Sequence, residues 1–251
     1  MNSPWHIIGV GAIGGLFACR LREAGAEVVL ISPSDKKKHR NLELVKKNKR
    51  SQWRFMQQVA STENPITNLL ICTKSWAAKS ALASVANRLT AKSTVVLLCN
   101  GMGVGETLLP MLENRPLAIG STTAGCRKDS SGVLNLAGEG NTCMGWITSG
   151  KPPPIWQDIW SLGVPEFTWT QDIYPVLLEK TALNAVINPL TAVNRVANGE
   201  LYSASMVTKT KRVIYEVQSL LEAAGELPDQ ARGRAGGSLG RRLDLRSTES
   251  G

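Results

Sequence analysis

The chain has 251 residues, 43% apolar and 20% charged, which excludes a disordered protein and leaves room for one large or two medium domains. No apolar stretch approaches the roughly 20 residues of a membrane-spanning helix, and Met1-Asn2-Ser3-Pro4-Trp5 has no basic signal-peptide region, so no membrane partner is expected. The net charge of +9 is confined to two patches, residues 36–50 and the Arg-rich run from Leu227 onward, rather than spread as a field.

The first patch holds eight Lys and Arg against Glu43 alone and no aromatic residue, so no nucleic-acid partner is expected. It reads either as a solvated basic face or as an attractor for a phosphorylated cofactor. Cys19, Cys72, Cys99, Cys126 and Cys143 are odd in number and form no CxxC pair. They read as free thiols of a reducing compartment, the cytoplasm, and no metal site is expected.

In chain order, Ile7-Ile8-Gly9-Val10 predicts a short strand. Gly9-Val10-Gly11-Ala12-Ile13-Gly14 follows, and then Ile13, Leu16, Phe17 and Leu21 recur at helical spacing until Gly25 offers a C-cap. Glu27–Ile31 predicts a second buried strand. A GxGxxG run alone is weak evidence, but between a strand and a helix, with a second strand on time, it specifies a dinucleotide-binding turn. Gly9 permits the turn, Gly11 lets a pyrophosphate approach the backbone, and Gly14 lets the helix pack on the strand. The helix N-terminus then offers N–H groups to the phosphates. Gly9, Gly11, Ala12, Ile13 and Gly14 are therefore candidate cofactor-binding residues.

After the second strand come Ser32, Pro33 and Ser34, with no acid until Asp35, and then Lys36, Lys37, Lys38 and Arg40. Small hydroxyls followed by cations suit a ribose 2′-phosphate better than a bare 2′-hydroxyl, which favours NADP over NAD. Strands are predicted at Leu69–Cys72, Thr94–Cys99 and Leu117–Ser121, with helices around Ala77–Leu89 and Glu106–Leu112. Repeated strand–helix units predict a parallel doubly wound sheet with ligands at the carboxyl ends of its strands. Lys74 and Asn100 fall just past two such ends. Each also has an ordinary reading, a surface lysine opening a helix and a turn residue before Gly101.

From about 125 to 170 the pattern is short and glycine-rich and predicts antiparallel strands at the sheet edge, followed by a helix at Ile155–Leu162. The chain turns helical near Tyr174-Pro175 and stays so through Ala224. The fold class is thus α/β, an N-terminal Rossmann-type doubly wound sheet followed by a smaller all-helical domain. Residues 1–170 are read as the NADP-binding domain, 171–226 as a shortened helical substrate domain, and 227–251 as a flexible tail. Within the helical region Lys180, Asn184 and Asn188 stand at i, i+4 and i+8 and share one stripe. One cation and two amides suit a cleft wall for a small polar anion; an exposed face of a buried helix is the plainer reading. Asn198-Gly199-Glu200-Leu201 reads as a turn capping the next helix, with Asn198 directed to the same cleft.

Gly9–Gly15, Thr73-Lys74-Ser75-Trp76, Cys99-Asn100-Gly101-Met102-Gly103 and the segment Lys180–Leu201 together resemble the ketopantoate reductase (2-dehydropantoate 2-reductase) family over roughly residues 5–226. The resemblance implies NADPH-dependent reduction of the C2 ketone of ketopantoate to pantoate, in pantothenate and coenzyme A synthesis. It implies Lys180 as the catalytic acid, Asn100, Asn184, Asn188 and Asn198 in the substrate or cofactor cleft, and Lys74 on the cofactor side. A small 2-oxo acid is then the partner, and a homodimer the expected assembly. Two departures stand out. Pro33 replaces the family's arginine after the second strand, which leaves any 2′-phosphate contact to Lys36–Arg40. Past Glu226 the family's later substrate-contacting motifs are missing, and the Gly- and Arg-rich text resembles a truncated or frameshifted end. A non-catalytic NADP-binding protein and a related dehydrogenase for another small 2-oxo acid remain as alternatives.

Overall fold

The structure is a computed structural model that describes residues 3–33, 38–148 and 150–226. It divides into two compact units, Met1–Leu177 and Leu178–Gly251.

The first unit is built on one eleven-stranded sheet. In chain order its elements are β1 (Trp5–Ile8), α1 (Ala12–Glu23), β2 (Val28–Ser32), β3 (His39–Lys46), β4 (Lys49–Val59), β5 (Ile66–Ile71), α2 (Ala78–Val85) and β6 (Leu89–Leu97). They continue with α3 (Val104–Leu108), β7 (Leu117–Thr122), β8 (Gly125–Lys128), β9 (Leu134–Gly138), β10 (Thr142–Trp146), α4 (Gln157–Gly163) and β11 (Phe167–Trp169). The sheet order is β11-β10-β7-β6-β5-β1-β2-β4-β3-β9-β8. Its six central strands, β7-β6-β5-β1-β2-β4, are parallel throughout. Beginning at β1, the chain builds outward through β2 and β4 on one side. It then returns to lay down β5, β6 and β7 on the other, which is the Rossmann strand order with its reversal at β1.

The sheet differs from the expected parallel one at its margins. β3 runs antiparallel to β4, β8 to β9, and β10 to β7, so the whole is mixed. The glycine-rich 125–170 region does not line a single edge. β8 and β9 extend one side through β3, while β10 and β11 extend the other and are parallel to each other. The basic run also has structure that the sequence reading did not predict. It forms most of the β3–β4 hairpin, turned by Lys47 and Asn48 at φ 45° and 64°. Leu42, Leu44 and Phe55 point inward from it, Lys46, Lys47, Lys49 and Arg50 are exposed, and Arg40 is half-buried.

Alternation along the strands supplies a core on each face of the sheet. Trp5, Ile7 and Leu70 face α1 and α4, whereas Leu69, Ile71 and Leu97 face α2 and α3. On the first face Trp5, Phe17, Trp146, Trp156, Trp160, Phe167 and Trp169 form a continuous aromatic cluster with ring centroids 5.1–6.4 Å apart. Five of these eight pairs are edge-to-face, the arrangement favoured by ring quadrupoles, and the other three are tilted. Gly163 lets α4 approach α1 closely, because a Cβ there would lie 2.7 Å from the Arg20 carbonyl oxygen. α1 ends as its sequence predicts. Gly25 takes φ +90°, its N–H donates to the Arg22 carbonyl (3.1 Å), and the Ala26 N–H donates to that of Leu21 (2.9 Å).

The second unit contains the greater part of α5 (Tyr174–Asn194), a 3-10 turn at Asn198–Tyr202, and α6 (Val207–Ala223). Ala182, Val186 and Leu190 form the buried stripe of α5, packed with Leu201 and with half-buried Met206, Val213, Ile214 and Val217. α6 closes like α1, with Gly225 at φ 73° and the Glu226 N–H donating to the Leu221 carbonyl at 2.9 Å.

Candidate functional site

The glycine loop leaves the sheet at the strand where the winding reverses. A Cβ on Gly9 would stand 2.6 Å from both the Cys72 carbonyl carbon and the Thr73 nitrogen, and its φ of +90° independently selects glycine. A Cβ on Gly14 would overlap the Gly9 carbonyl oxygen, so the absence of a side chain seats α1 against β1. Gly11 is different. It caps α1, it is exposed, and no atom lies within 4 Å of the place its Cβ would occupy.

The first N–H groups of a helix have no intrahelical acceptor, and α1 begins with neither a side-chain cap nor an acid in its first turn. Ala12 and Ile13 supply that turn, both half-buried. The combination of orphan N–H donors, a positive dipole end and open space above Gly11 fits the pyrophosphate of a dinucleotide.

Neighbouring strands end in step with this loop. The Cys72 N–H donates to the Ile8 carbonyl (2.9 Å) and the Leu98 N–H to that of Ile71 (2.9 Å), carrying the ladder one residue past β5 and β6. The loops after β1, β5 and β6 therefore leave from one edge, the position where open α/β sheets bind ligands. Thr73 and Lys74 follow β5, and exposed Asn100 follows β6. Lys74 is exposed and caps a short 3-10 turn, its carbonyl accepting from the Ala77 N–H at 2.9 Å. Thr73 was not among the expected site residues. Its backbone nitrogen abuts Gly9, and its hydroxyl is buried without a hydrogen-bond partner. Only its place one residue before Lys74 hinted at this.

In the second unit Lys180 and Asn184 are half-buried and Asn188 is exposed. They share one face of α5, offset by two positions, roughly 200°, from the packed stripe Ala182–Val186–Leu190. Asn198 is placed differently. It lines a cavity of about 100 Å³ together with Val186, Ile187, Gly199, Leu201, Tyr202 and Thr210. Nor does the turn that begins at Asn198 cap the next helix. The Glu200 carboxylate accepts the Ala197 N–H (3.0 Å), closing its own 3-10 turn, and α6 starts only after Met206.

Other titratable groups are poor candidates for chemistry. His6 is buried in mid-strand, and desolvation followed by the nearby Arg88 guanidinium lowers its pKa to about 4. Burial pushes the Cys19 thiol up to about 12 and raises Cys72 and Cys126, so these thiols stay protonated at neutral pH. Lys36 and Lys37 of the first basic patch, and the tail from Leu227, lie outside the described residues.

Profiles of one family match both parts of the chain. Ketopantoate reductase PanE/ApbA matches residues 5–148, and the C-terminal part of the same family matches 172–241. The chain belongs to the ketopantoate reductase family. The C-terminal match extends past Glu226, where the resemblance read from sequence was expected to stop. A 2-dehydropantoate 2-reductase of Vibrio cholerae is 28% identical over 218 residues, 86% of this chain and 72% of the relative. One from Shigella flexneri is 32% identical over 158 residues, which is 62% of this chain and half the length of the relative. The fold is that of a solved PanE/ApbA family ketopantoate reductase from Ralstonia eutropha. The TM-score is 0.77 at 22% identity, covering 97% of this chain and 79% of that one. No helix among the described residues is long and apolar enough to cross a membrane.

Proposed function

We propose that the chain reduces ketopantoate to pantoate with NADPH, the glycine loop holding the cofactor and Lys180 serving as the acid. The observation that carries this reading is the family match over both units, 5–148 and 172–241, with a glycine loop in the first and a Lys–Asn–Asn stripe in the second. When bound, NADPH supplies a hydride to the C2 carbonyl carbon.

The developing alkoxide then needs a proton and a cation. The Lys180 ammonium gives the proton to the C2 oxygen and opposes its charge in the same position. Asn184 and Asn188, one and two turns further on, donate amide hydrogens to the substrate carboxylate and hydroxyl without adding charge. On the cofactor side the α1 N-terminus receives the pyrophosphate, and Lys74 and Asn100 border it.

The test follows NADPH oxidation with ketopantoate and with a panel of other small 2-oxo acids. Lys180→Ala should lower kcat by roughly 10²–10⁴-fold while NADPH affinity is retained. An unchanged kcat removes Lys180 as the acid. Turnover of another 2-oxo acid in preference to ketopantoate reassigns the substrate, and NADPH binding without any turnover leaves a dinucleotide-binding protein.

A further inference from the structure

Three strands of the first unit bring two cations to the sheet face on which α1 packs. β9 lies between β3 and β8, in register Leu44↔Leu134 on one side and Lys128↔Leu134 on the other. Residues directly opposite in a sheet share a face, so Leu44, Leu134 and Lys128 point the same way. That way is toward α1, because the Leu134 Cδ1 lies 2.9 Å from the position a Cβ on Gly15 would take. Arg40 stands four residues before Leu44 on β3 and therefore shares its face.

Both cations are half-buried, and desolvation first and the Arg40 guanidinium second lower the Lys128 pKa, in keeping with their shared face. The acids of the surrounding segments are committed elsewhere. Glu43 pairs with Arg50 (2.7 Å), and Glu139 with Arg20 (2.6 Å) and Lys46. Asp129 accepts from the Ser131 hydroxyl (2.6 Å), the Val133 N–H (2.9 Å) and the Asn135 amide (3.1 Å). Among the described residues no carboxylate pairs with Arg40 or Lys128. Two cations on one face without an acid repel each other, and an anion between them adds two attractions that outweigh that repulsion.

We propose that Arg40 and Lys128 together bind the 2′-phosphate of the cofactor and so set the preference for NADPH over NADH. The inference rests on the dinucleotide reading given above. A phosphate monoester carries close to two negative charges at neutral pH and three acceptor oxygens. It matches a planar guanidinium on one side and an ammonium on the other. Pro33, where the family has an arginine, cannot make that contact. Lys128 comes from a strand 88 positions after Arg40 and belongs to neither the glycine loop nor the basic run.

The test measures NADPH and NADH affinity of the full chain by calorimetry, with 2′-AMP as a probe for the phosphate subsite. Arg40→Gln and Lys128→Gln should each weaken NADPH and 2′-AMP by about tenfold, and the double variant by more, with NADH affinity unchanged as the internal control for folding. In the unmodified protein, added salt should weaken NADPH more steeply than NADH, a readout that needs no variant. A double variant with the original NADPH/NADH ratio overturns the proposal, as does a wild-type protein that binds both equally. A protein that binds neither dinucleotide instead overturns the reading on which the proposal rests.

Discussion

Replacing Gly11 and Gly14 separately by alanine should split cofactor binding from folding, because the same added methyl meets opposite surroundings. At Gly11 no atom lies within 4 Å of the Cβ position, and φ −85° and ψ −151° are extended values open to alanine. Stability should therefore change by no more than about 0.5 kcal/mol. The methyl nevertheless stands where a phosphate oxygen must approach the first N–H groups of α1. Losing even one charge-assisted hydrogen bond of about 1.5 kcal/mol weakens NADPH roughly tenfold. At Gly14 the methyl overlaps the Gly9 carbonyl oxygen, a backbone atom that cannot swing aside, and lies 3.0 Å from the Cys72 Cβ. Overpacking of that kind costs about 1–3 kcal/mol. In a chain this size it lowers Tm by roughly 2–4 °C per kcal/mol. Urea unfolding and NADPH titration, run on both variants, give four numbers. If Gly11→Ala binds NADPH like the parent, or loses as much stability as Gly14→Ala, the assignment of these two roles is wrong.

Two further outcomes concern the scaffold. His6 has a folded pKa of about 4 against 6.5 when unfolded, so its contribution is fully present above pH 6.5 and is lost as pH falls toward 4. The shift corresponds to about 3 kcal/mol in total. Urea unfolding across pH 7 to 4 should show that decline in the parent and not in His6→Leu, and parallel curves would refute it. Glu139→Gln strips the carboxylate from Arg20, which is only 4% exposed, and from Lys46; because Glu139 is itself partly solvated, the expected loss is about 1–3 kcal/mol in urea. A change under 0.5 kcal/mol would show that the ion pair does not hold the end of β9 to α1.

The parts of this molecule that could be read from sequence are those fixed by neighbours in the chain. Gly9, Gly11 and Gly14 are separated by the spacing that a strand–turn–helix junction demands, and the strand Val28–Ser32 began one residue later than expected. The polar stripe of α5 was legible for the same reason, since a 3.6-residue period is local. The β3–β4 hairpin escaped because its Lys47-Asn48 turn lacks the Asn-Gly signature, and its basic residues masked the alternation of Leu42 and Leu44. The division of β8–β9 and β10–β11 between opposite sheet edges is a choice among distant partners, which short glycine-rich strands do not encode locally. Thr73 was missed for a related reason. A lone hydroxyl has no period or spacing, and only its burial in the fold reveals the unmet hydrogen bond.

The binding edge and the folded core of the first unit are held by the same contacts. Gly14 allows α1 to touch β1, and that approach brings the orphan N–H groups of the helix to the level where β1 ends. The hydrogen bonds from Cys72 to Ile8 and from Leu98 to Ile71 then carry Thr73, Lys74 and Asn100 to that level. A substitution that shifts the β1–α1 junction must therefore disturb packing and ligand geometry together, as Gly14→Ala is expected to do. Gly11 is the exception, because it faces outward into open space and contributes nothing to the core. Its lack of a side chain serves no packing contact in the described structure, so a ligand is the remaining physical reason for the space it leaves.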